Sequence, residues 1–146
     1  MHFSVPLVLA FALGTVAALS PEIQAQQQQQ QQGQAPATGA TTRTDLLADD
    51  LDGVKGWEVL ARRSEIPGGW VGKKHYHPGH VLVYVLEGAM TFEEEGRPSI
   101  TKNAGEMFHE TPGVRLTPKN GSQTEPVKLL VIDLKEKGQP VTVDVE

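Results

Sequence analysis

Four of the five histidines in this sequence fall within two short stretches, at His75, His77 and His80 and again at His109. His75 and His77 are spaced i, i+2, which on an extended strand sends both imidazoles to one side. Neutral imidazole is the commonest protein ligand for transition metals. The pair is a candidate site, and His80 and His109 are two further imidazoles. Strict alternation from His77 turns His80 the other way, whereas a bulge after Pro78-Gly79 would turn it inward. The facing of His109 is open at this level. The competing reading is a set of buried imidazoles that only pack.

Other chemistries are excluded or weak. The chain has no cysteine, so thiolate metal sites, cysteine nucleophiles and disulfides are all absent. No nucleophile elbow, phosphate loop or dinucleotide fingerprint occurs. Net charge is -5, with the basic residues scattered among the acids, so nothing draws the chain to nucleic acid or an anionic membrane surface. Lys73 shares a side with His75 and reads as a rim residue. At most one of Arg62 and Arg63 faces inward. Glu93-Glu94-Glu95 reads as a solvated run, Tyr84 as a core residue whose hydroxyl finds a partner, and Asn120-Gly121-Ser122 as a glycosylation sequon.

These side chains must be positioned by strands. Short apolar runs recur between turn residues from Trp57 onward: Trp57–Ile66, Trp70–His77, Val81–Leu86, Met90–Glu94, Ser99–Thr101, Glu106–Glu110, Val114–Thr117, Val127–Leu134 and Val141–Val145. Pro67-Gly68-Gly69, Pro78-Gly79, Gly88, Glu95-Gly96-Arg97-Pro98, Pro112-Gly113 and Asn120-Gly121 separate them. The unbroken run Val81–Leu86 reads as a strand buried on both faces. Regular short strands without a long helix predict an all-β barrel or sandwich. Asp45–Leu51 reads as a helical turn or an arm packed on that body.

The N-terminal third has a different character. Phe3–Leu19 is almost wholly apolar and carries no charge, and Ala25 is a plausible last residue before cleavage. Residues 1–25 thus read as a secretory signal, with a membrane anchor as the alternative. Residues 26–43, which open with Gln26–Gln32, have almost nothing to bury and read as a disordered tether. Residues 44–146 are the folded domain. Export to a periplasm or the outside is the expected location.

The segment His75-Tyr76-His77-Pro78-Gly79-His80-Val81 through Gly88 resembles the first motif of the cupin superfamily. Ala104-Gly105-Glu106 through Val114 is similar to the second, and Thr124–Ile132 to the closing segment of small cupins. The resemblance implies a jelly-roll β-barrel, often a homodimer, enclosing a divalent metal such as iron, manganese, nickel or zinc. It implies ligands at His75 and His77, at a glutamate position occupied here by Val81, and at a histidine position occupied by Leu116. Two family ligands are thus replaced by apolar residues. The expectations are a small-molecule pocket holding metal through His75 and His77 with His80 or His109, with oxygenase or isomerase chemistry if it is an enzyme. The alternative is a metal-free ligand-binding or structural barrel.

Overall fold

A computed structural model describes residues 39–145. The expected signal, residues 1–25, and the tether as far as residue 38 lie outside the described residues. The described part is all-β, ten strands in two antiparallel five-stranded sheets that face each other as a jelly roll. In chain order they are β1 (Thr42–Asp50), β2 (Trp57–Ile66), β3 (His75–Tyr76), β4 (His80–Glu87), β5 (Ala89–Glu94), β6 (Ile100–Asn103), β7 (Met107–Glu110), β8 (Leu116–Asn120), β9 (Val127–Glu136) and β10 (Val143–Asp144). One sheet has the order β1-β2-β9-β4-β7 and the other β10-β3-β8-β5-β6.

Strand alternation decides what is inside. On β4, Val81, Val83 and Val85 are buried against Val127, Leu129 and Val131 of β9. Met90, Phe92 and Leu116 close the core from the other sheet. Phe92 stacks on Phe108, with ring centroids 4.1 Å apart. The β4–β5 hairpin turns at Gly88, whose φ of 79° a residue with a Cβ rarely adopts.

Several local expectations need correction. Asp45–Leu51 is neither a helical turn nor a packed arm: Asp45–Asp50 belong to edge strand β1, which pairs with β2 through a bulge between Asp45 and Leu47 and is exposed throughout, and Leu51 follows its end. The run Trp70–His77 is not one strand. Val71 makes an isolated bridge to Lys119, and regular pairing resumes only at His75. Gly72, packed tightly against the Trp70 ring and Pro118, lies in the gap. Strand β4 is buried on one face only, because among the described residues nothing covers its outer side, where Leu82 and Tyr84 are half-buried and Leu86 exposed. Tyr84 is therefore not a core residue.

The charge run Glu93-Glu94-Glu95 is also not wholly solvated. Glu94 points inward and is buried, held by Arg97 at 2.7 Å. The sequon asparagine is buried too. Asn120 donates from Nδ2 to the carbonyls of Ile66, Pro67 and Glu125, and its Oδ1 accepts from the Ser122 amide. Its amide nitrogen is thus committed in the folded protein, which leaves no room for a glycan there.

Candidate functional site

His75 ends the irregular stretch that follows Gly72, and His77 lies two residues on, so both imidazoles turn into the space between the sheets. The first ring is half-buried and the second buried. His75 Nδ1 donates to the Lys73 carbonyl at 2.8 Å, and His77 Nδ1 donates to the Val141 carbonyl at 2.6 Å. A carbonyl can only accept, so these bonds fix the tautomer of both rings. In the neutral state each Nε2 is then a bare lone pair. The two Nε2 atoms face each other at 3.0 Å, and Glu110 Oε2 lies 2.7 Å from that of His77.

Three acceptors converging at such distances repel unless a cation or a proton sits among them. Anchoring each Nδ1–H on a backbone carbonyl is also how metal-ligating histidines are usually oriented. Ligand atoms of His75, His77 and Glu110 all lie within 4.8 Å of one another. Among the described residues this is the one such group of three or more. Two imidazoles and a carboxylate suit iron(II) and related divalent ions, and leave positions open for a substrate or water.

Glu110 was not among the residues expected to ligate. Its signal was present in the alternation of β7: with Phe108 and Glu110 buried and Met107 and His109 exposed, the strand puts Glu110 inward. That alternation also places His109 outward. His80, at the start of β4, is exposed as well, since no bulge turns it. His80 Nδ1 and His109 Nε2 lie 2.9 Å apart on the outer face. The four expected ligands therefore divide into two pairs, one inside the barrel and one on its outer face. The glutamate and histidine positions of the resemblance are filled by buried Val81 and Leu116, as read from the sequence.

A second buried acid stands near the group. Asp133 of β9 is 2 % exposed and is ion-paired with Arg62, the inward member of the Arg62-Arg63 pair. Its Oδ1 has no hydrogen-bond partner. Burial pushes its carboxyl above the usual range, with the charge of Arg62 opposing. For His77, burial alone would lower the pKa. The hydrogen bond and negative charge of Glu110 outweigh it and hold the imidazole above its ordinary value. Without metal, the His77 imidazole is thus held toward its protonated form beside Glu110.

The group lies in a cavity of about 380 Å³. Its walls are mainly apolar, with Trp70, Val83, Met90, Phe92 and Leu129 prominent, while Arg43, Lys73 and Asp144 also line it. Lys73 is a rim residue: it is highly exposed and reaches Asp144 at 3.2 Å.

Residues 62–133 match the family model described as the cupin domain. No protein of curated function matches the sequence. Solved structures of similar fold include a cupin-like protein from Thermotoga maritima, at 19% identity and a TM-score of 0.56, covering 74% of this chain and 77% of that one. The DMSP lyase DddQ from Ruegeria pomeroyi is 19% identical with a TM-score of 0.57, covering 77% of this chain but 57% of that one. The polyketide cyclase RemF from Streptomyces resistomycificus is 23% identical with a TM-score of 0.55, covering 73% and 71%. At these identities the likeness is one of fold.

Proposed function

We propose that this chain, whose residues 62–133 match the cupin domain model, holds a divalent metal through His75, His77 and Glu110 at the base of a small-molecule pocket. The observation that carries the reading is the convergence of two fixed-tautomer Nε2 lone pairs on one carboxylate. When bound, a metal there supplies Lewis-acid polarisation of a substrate oxygen. The protein's own part is to fix the ligands through the Lys73 and Val141 carbonyls. Val81 and the apolar walls keep bulk water from the ligand set, and Arg62 neutralises Asp133 beside it. The lyase and cyclase named among the structural neighbours support an enzyme reading at the level of fold only. The test is metal content and affinity in the protein and in a Glu110→Gln variant. Affinity about 10- to 100-fold lower in the variant supports the reading. Equal affinity contradicts it.

The second reading is a metal-free binding barrel. It is favoured by the His77–Glu110 contact at 2.7 Å, which a single proton satisfies without any ion. Elemental analysis after reloading separates the two.

Two wider proposals rest on other features. Export rests on the apolar, uncharged run Phe3–Leu19 followed by small residues. A homodimer rests on the aliphatic outer face of β9, where Leu130 and Ile132 are only half-buried. A contiguous apolar sheet face of this kind marks an interaction surface.

A further inference from the structure

His80 and His109 take no part in the interior group. They belong to neighbouring strands β4 and β7, where Leu82 pairs with His109 and Val81 with Glu110. The residues beside them in sequence, Val81 and Glu110, point inward. The two imidazoles thus project from the opposite side of the same sheet, both exposed, with ring centroids 5.2 Å apart and planes within 22° of parallel. His80 Nδ1 and His109 Nε2 are 2.9 Å apart.

We propose that His80 and His109 form a second metal site, a surface chelate for a borderline divalent cation, with copper(II) held above nickel(II) and zinc. The spacing carries the argument. Two nitrogens bound cis at about 2.0–2.1 Å from one ion stand about 2.9 Å apart. Rigid strands hold the pair at that span before any ion arrives, so chelation costs little ordering. Among the described residues no third histidine or acid joins the pair in such a group. Water then completes the shell, and two cis imidazoles with oxygen partners suit tetragonal copper(II). The site is separate from the interior one: the ligand sets share no residue, although His109 and Glu110 are consecutive.

The test is copper(II) titration of the untagged full chain in a His2→Ala background, which removes an imidazole beside the terminal amine. It is followed by equilibrium dialysis and electron paramagnetic resonance. The parent should bind one more equivalent than a His80→Ala/His109→Ala variant, with nitrogen hyperfine structure that the variant loses. Either single substitution should weaken that equivalent at least about tenfold. A His75→Ala/His77→Ala variant with an unchanged far-ultraviolet circular dichroism spectrum should keep it. Equal stoichiometry and spectra in parent and His80→Ala/His109→Ala would overturn the proposal, leaving only a hydrogen-bonded pair. So would loss of the equivalent in the folded His75→Ala/His77→Ala variant.

Discussion

Glu110 stands directly opposite Val81 across the β4–β7 ladder. On the other side of β4, Val81 is opposite Asp133 of β9. All three side chains point inward and are buried. The cupin resemblance places a carboxylate at position 81, and this chain instead carries acids on both neighbouring strands at the same level. An inward acid one strand away can reach the same interior space, because directly opposed residues stand with Cβ atoms about 5 Å apart. His77 makes use of that, meeting Glu110 at 2.7 Å.

Returning the family residues tests this geometry. Val81→Glu alone adds a third buried carboxylate between two others. It should destabilise the metal-free protein by about 3 kcal/mol or more, with most of that loss recovered on adding metal. Leu116 pairs with His75 across β3–β8. The double variant Val81→Glu/Leu116→His should therefore raise metal affinity at least about tenfold over the parent. Competition titration with a chromophoric chelator reads this directly. Affinity at or below that of the parent would mean that these two side chains do not face the ion.

Acid and metal should pull in opposite directions. The folded pKa of His77 lies above its unfolded value near 6.5. Its contribution to the stability of the metal-free protein is then fully present below about pH 6.5 and fades as pH rises through the raised folded value. Asp133, also raised, adds to the trend from lower pH, since its buried charge becomes a penalty once it ionises. The ion pair with Arg62 limits that penalty. Metal affinity runs the other way, because the ion needs Nε2 unprotonated and His77 must first lose its proton. Melting temperature against pH, with chelator and with metal, should show a metal-dependent gain that grows as pH rises. A gain that shrinks instead would contradict the assignment of His77.

Asn120 makes a structural prediction independent of the metal. It is buried, and its side chain bridges the segment after β2 to the turn after β8 through four backbone groups. Asn120→Ala strands those groups, so stability should fall by about 2–4 kcal/mol in chemical denaturation. Metal stoichiometry should be unchanged. A loss under about 1 kcal/mol would show that water replaces the amide.

Much of this was legible in the residues. Turn residues such as Pro67-Gly68-Gly69, Gly88 and Asn120-Gly121 punctuate strands with the observed order, and most strand bounds fall within a few residues of the runs. The inward facing of His75 and His77 is legible in their period-two spacing, and the metal reading in the motif they resemble. Glu110 is not, because its partnership with His77 depends on which strands become neighbours, and β7 meets β4 across a long stretch of sequence. The facing of His80 and His109 is left open by the sequence for the same reason. Each follows simple alternation, and only the β4–β7 pairing brings them together outside the barrel. Burial of β4 was overread because six consecutive apolar residues look alike whether their outer face meets another layer or nothing.

That outer face yields a prediction about assembly. If two copies join through Leu130 and Ile132, light scattering should give a dimer mass. Ile132→Glu should give a monomer with similar secondary structure. A monomeric parent at high concentration would remove the dimer.

The most direct measurement is the metal content of the untagged protein after separate reloading with iron(II), manganese, nickel and zinc, beside His75→Ala/His77→Ala and Glu110→Gln. To keep the outer histidines from contributing, all three proteins carry His80→Ala/His109→Ala. About one equivalent of at least one metal in the parent, lost in the first variant and much weakened in the second, is the predicted result. No metal retained by the parent in any reloading, or metal equally retained by all three proteins, would contradict a centre built from His75, His77 and Glu110.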